Sequence, residues 1–82
     1  MANKVKTRTR VIRENALIKD EDFSGWLVVN TGNTDIVVDN VVLRPYDRLN
    51  FLDCVPPNCK WDTPIFIKAA GGEAILTQLL FS

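Results

Sequence analysis

The side chains able to carry chemistry are few, and histidine is not among them. Without it the chain lacks the commonest general base and the group that activates a serine or cysteine nucleophile. Three glutamates and seven aspartates are left for acid–base work. Almost all stand in turn-forming stretches, where a carboxylate ordinarily caps a turn in solvent. One group has the spacing of a cation loop. Asp20, Asp22, Ser24 and Gly25 fall at positions 1, 3, 5 and 6 of a calcium-binding EF-hand, whose alternate oxygens are ligands and whose glycine permits a sharp turn. The twelfth position, which should bring a bidentate carboxylate, is Thr31. A polar turn leading into a strand is the expectation there.

Cys54 and Cys59 flank Val-Pro-Pro-Asn, a spacing that permits a small disulfide loop or two free thiols. Two thiolates do not complete the four ligands of a zinc site. Only three apolar residues, Ala16 to Ile18, follow the charged start, so no secretory leader is legible and free thiols are expected. Gly71-Gly72 lacks the lysine and hydroxyl of a phosphate-binding loop. No catalytic set, cofactor or resident metal is therefore expected, and no apolar run is long enough to cross a membrane as a helix.

The strongest charged feature is a row of cations. Lys4, Lys6, Arg8, Arg10 and Arg13 precede the first acid, Glu14, whereas the other 69 residues carry five basic and ten acidic side chains, a net of −5. Such a row can dock on the acidic body of a neighbouring copy, or it can follow a phosphate backbone with strong salt dependence. No aromatic lies within the row to stack on bases.

The elements that must position these residues read as strands. Lys4, Lys6, Arg8 and Arg10 alternate with Val5, Thr7, Thr9 and Val11, a period of two that suits an extended arm or an edge strand. Residues 1–13 are taken as a basic N-terminal arm and 14–82 as a single domain. Glu14 to Lys19 fits a helical turn or a short strand equally well. Trp26 to Asn30 is aromatic and β-branched, and Thr31 to Thr34 is a turn cluster. Ile36 to Val38 and Val41 to Leu43 flank Asp39-Asn40, two residue types that tolerate positive φ, so a two-residue hairpin turn is predicted with Ile36 opposite Leu43, Val37 opposite Val42 and Val38 opposite Val41. Both faces of this ribbon are apolar. One suits the core, and the other, with Val37 and Val42, is a candidate subunit contact.

Pro45-Tyr46-Asp47 is the next turn, and Arg48 to Leu52 alternates with Leu49 and Phe51 on one side. Asp53 to Pro64 holds Pro56-Pro57, both cysteines and Trp61; a loop of that length is expected to be functional or buried in an interface. Ile65 to Ala69 and Ala74 to Phe81, joined through Gly71-Gly72, are expected to close the chain as a final hairpin. Six or seven short strands with regular turn signals indicate an all-β fold, a small antiparallel sandwich or barrel. At 82 residues its core is small, which raises the expectation of self-association.

Asn30-Thr31-Gly32, Val41 to Pro45, Asp47 to Phe51 and Trp61-Asp62-Thr63-Pro64 are spread over a span, 30–64, of close to half the chain. In these pieces the chain resembles the small β-sandwich structural proteins of tailed bacteriophages, with Tyr46 standing where such turns usually have glycine. The resemblance implies a non-enzymatic virion subunit, such as a head decoration, head-fibre, connector or tail component, assembled in the host cytoplasm. It implies partners among copies of itself and other virion proteins; the contact residues expected from the residues themselves are Val37, Val42, Tyr46, Trp61 and the basic row. The alternative expectation is a small β-barrel that binds nucleic acid through the same basic row.

Overall fold

In a computed structural model, residues 6–19, 22–52 and 60–80 are described, and they form eight strands and no helix. The strands are β1 (Lys6–Ile12), β2 (Ala16–Ile18), β3 (Phe23–Asn30), β4 (Ile36–Val38), β5 (Val41–Leu43), β6 (Arg48–Asn50), β7 (Ile65–Lys68) and β8 (Ala74–Leu80). They build two antiparallel sheets, a long one in the order β1-β8-β3-β6 and a short one in the order β2-β7-β4-β5. Alternation is the cause: β7 buries Ile65 and Ile67 and exposes Phe66 and Lys68. The inward rows of both sheets meet in one core that includes Trp26, Val28 and Leu76 from the long sheet and Ile36, Val38 and Ile67 from the short one. The fold is a small β-sandwich, and its eighth strand is β2, from the segment that fits helix or strand equally.

The central hairpin has the predicted register, Ile36 with Leu43, Val37 with Val42 and Val38 with Val41. Asp39 and Asn40 hold φ of 47° and 70°, the pair of positive values that a type I′ turn requires. Asp39 also ties the turn to β7, since its Oδ1 accepts the Phe66 amide at 2.8 Å. The segment Lys6–Ile12 takes the edge-strand form of its alternation, paired with β8 from Lys6 opposite Leu80 to Ile12 opposite Ala74.

One expectation is overturned. The strands at 65–68 and 74–80 do not pair as a hairpin. β7 lies between β2 and β4 in the short sheet, and β8 lies between β1 and β3 in the long one. The turn between them, with Gly72 N bonded to Ala69 O and Gly71 at φ 83°, carries the chain across the core. β7 turns Ile65 and Ile67 inward and β8 turns Ala74 and Leu76 inward, and opposite sheets let both pairs meet the same core.

Strand β3 contains a bulge. Phe23 pairs with Leu80 and Trp26 with Gln78, so one side advances three residues while the other advances two. The extra residue resets the alternation and lets Phe23 and Trp26 both point inward, with 2% and 1% of their surfaces exposed. Ser24 and Gly25, which match the cation-loop spacing, lie inside this strand. Asp20 lies outside the described residues.

Candidate interaction surfaces

The outward face of the short sheet is apolar. Leu17 on β2 stands opposite Phe66 on β7, and Val37 on β4 stands opposite both Val42 on β5 and Lys68 on β7. Leu17, Phe66 and Val42 are 49%, 38% and 58% exposed. Lys68 is the one charge among these five, and its ammonium lies 5.6 Å from the centre of the Phe66 ring, within cation–π range. Val37 and Val42 thus lie on the face expected of them. Leu17 and Phe66 join them through sheet pairings between segments distant in the chain.

The outward face of the long sheet is also poor in charge. Val11, Ile75, Val29 and Arg48 form one cross-strand row, Thr9, Thr77, Leu27 and Asn50 the next, and Thr7 with Leu79 a third. Antiparallel sheets with one face on a core ordinarily turn polar residues outward. Here the two central strands, β8 and β3, turn out Ile75, Thr77, Leu79, Leu27 and Val29.

Tyr46 sits between the two sheets, in the link from β5 to β6. Asp47 N donates to Arg44 O at 2.9 Å across Pro45 and Tyr46, with Tyr46 at φ 71°. Proline second and positive φ third is the pattern of a type II turn, which favours glycine at the third place. Tyr46 occupies it with its side chain in solvent, the residue being 79% exposed. Relieving a left-handed residue returns about 1–2 kcal/mol, and glycine's extra chain entropy takes back about 0.5–1. Tyr46→Gly is therefore expected to raise stability by about 0.5–1 kcal/mol, read as a higher denaturant midpoint at unchanged slope. A lower midpoint would mean that the ring packs usefully on the body.

The basic row is turned toward the body. Lys6, Arg8, Arg10 and Ile12 share the side of the long sheet on which Ala74 and Leu76 meet the core. Arg8 Nη2 donates to Gln78 Oε1 at 2.9 Å, and Arg10 Nη2 donates to the same oxygen at 3.3 Å. Gln78 is fully buried beneath them. Burial, and then the charge of Arg8, pull the Arg10 pKa below its ordinary value. Arg13 pairs with Glu73 at 3.1 Å, and the other Glu73 oxygen accepts the Thr31 hydroxyl at 2.9 Å. The Thr31 hydrogen bond first, then Arg13, hold the Glu73 carboxyl below its usual range. Lys6 is exposed, and Lys4 lies outside the described residues.

Trp61 belongs to an aromatic trio. Its ring centre is 5.4 Å from Trp26, edge to face, and 5.5 Å from Phe51, and Nε1 donates to Thr63 O at 2.7 Å. It is half-buried and lines a cleft of about 200 Å³ with Ile18, Phe23 and Lys60. That volume is below the roughly 300 Å³ at which small-molecule sites begin. Lys60 pairs with Asp22 at 2.8 Å. Cys54 and Cys59 lie outside the described residues, among which no cluster of three metal-ligating side chains occurs.

Comparison of the chain with protein families, curated proteins and solved structures finds no match.

Proposed function

We propose that this chain is a non-enzymatic structural subunit of a bacteriophage particle, a capsid-associated, connector or tail component that binds copies of itself and neighbouring virion proteins. The observation that carries the reading is the chemistry of the two outward sheet faces. A solitary sandwich would clothe them in polar side chains, whereas here Leu17, Val37, Val42 and Phe66 stand on one and Leu27, Val29, Ile75 and Leu79 on the other. The phage part of the reading rests on the resemblance in Asn30-Thr31-Gly32, Val41 to Pro45 and the strand after Asp47. In this sandwich those pieces are the joints between β3, β5 and β6, with Asn30 at their centre.

The nucleic-acid alternative has less behind it. Arg8 and Arg10 bind Gln78 and Arg13 binds Glu73, while the outward residues of β1 are Thr7, Thr9 and Val11. The virion reading is tested by mass spectrometry of purified phage particles from the host that makes this chain. Peptides of the chain at many copies per particle are the expected result. Their absence from intact particles, with the chain present in the infected cell, would refute it.

A further inference from the structure

The two apolar faces differ in size, and the difference decides which of them can hold a pair of copies together. Strands lie about 4.8 Å apart and rise about 3.3–3.4 Å per residue. The long sheet, with strands of 7, 7, 8 and 3 residues, therefore presents roughly 400 Å² in plan. The short sheet, with strands of 3, 4, 3 and 3 residues, presents about half of that. Two apposed long sheets cover roughly 800 Å² in plan, and side-chain relief brings the accessible area lost to the roughly 1,000 Å² that a specific interface needs. Two short sheets fall well below it.

We propose that the outward face of the long sheet, centred on Thr77 with Leu27 and Ile75 beside it, is the contact between two copies of this chain, packed sheet on sheet about a two-fold axis. The inference rests on the reading of a self-associating subunit and names the surface that does it. A two-fold contact sets a patch against itself, so any charge in its middle meets its own copy. This patch avoids that. Its one charged residue, Arg48, stands on the edge strand β6, and its centre is threonine and aliphatic carbon. Charge also argues against association edge to edge. β1 is a seven-residue edge, but its inward-pointing Lys6, Arg8 and Arg10 would lie beside the same residues of a second copy.

The test is sedimentation equilibrium of the whole chain from about 1 to about 100 μM, comparing wild type with Thr77→Lys and Val42→Lys. Wild type is expected to reach twice the 9.3 kDa chain mass. Thr77→Lys, which brings two ammonium groups to the centre of the contact, is expected to weaken self-association by about 100-fold or more while the circular dichroism spectrum stays that of wild type. Should Thr77→Lys fail to fold, Thr9→Glu on the neighbouring edge strand makes the same test from an exposed position. A dimer dissolved by Val42→Lys and untouched by the long-sheet variants would overturn this inference and leave a self-associating subunit standing. A wild-type monomer at the highest concentration would remove both.

Discussion

Asn30→Ala is expected to lower the unfolding free energy by about 3 kcal/mol, because one fully buried amide holds three segments together. Its Nδ2 donates to Thr34 O at 2.8 Å and to Leu43 O at 2.9 Å, and its Oδ1 accepts Gly32 N at 3.0 Å. The backbone of the same residue accepts Tyr46 N and donates to Asp47 O. Asn30 therefore joins the end of β3 to the approach to β4, the end of β5 and the turn into β6. Alanine takes the donor from the carbonyls of Thr34 and Leu43, while Gly32 N keeps its second acceptor, Glu73 O at 3.1 Å. The loss is a large fraction of the roughly 4–12 kcal/mol typical of a domain this size. Aspartate is a sharper probe. It keeps the acceptor for Gly32 N but sets oxygen against the carbonyls of Thr34 and Leu43, so Asn30→Asp should be at least as damaging as alanine. Urea midpoints of both variants equal to wild type would show that the joint contributes nothing.

The second large effect is expected at Gly25, where a methyl group would have to occupy space already filled by backbone. A Cβ there would lie 2.5 Å from Leu52 O and 2.8 Å from Leu52 Cα. Neither atom can swing aside as a side-chain end would, so the chain after β6 must move away from the β3 bulge. That movement strains the Phe51 N to Trp26 O hydrogen bond of 2.8 Å and the Trp26–Phe51 ring contact, whose centres are 4.9 Å apart. Gly25→Ala is expected to cost about 2–3 kcal/mol, on the scale of an overpacked core. Because Trp26 and Trp61 report on the same place, the tryptophan emission of the folded variant should shift as well. Native stability with native emission would show that the bulge has slack there.

The hairpin from 36 to 43 was readable residue by residue, because Asp39-Asn40 fixes the turn and a two-residue turn fixes the register. The alternation of Lys6 to Val11 admits an extended arm or an edge strand, and the segment takes the strand. The alternation does not reveal which side faces the body. A row of cations reads as solvent-facing, yet at an edge strand long arginine stems can lie inward over a buried amide, as Arg8 and Arg10 do over Gln78. The hairpin expected of β7 and β8 fails for a related reason. Local pattern shows that each is a strand with one apolar row, but the choice of sheet depends on contacts with β2, β4, β1 and β3 that are remote in sequence. Leu17 and Phe66 form one patch through the pairing of β2 with β7, which joins segments remote in sequence. Gly25 inside an aromatic strand was the one available signal of the bulge.

The central claim, that this small sandwich covers its apolar faces with other copies of itself, is tested most directly by its mass in solution. Light scattering at two protein concentrations, in low salt and in about 1 M salt, where charges are screened beyond about 3 Å, separates apolar association from electrostatic association. The account predicts a discrete multiple of 9.3 kDa that persists in high salt. A particle of 9.3 kDa under all four conditions, or a multimer that falls apart as salt rises, would contradict it.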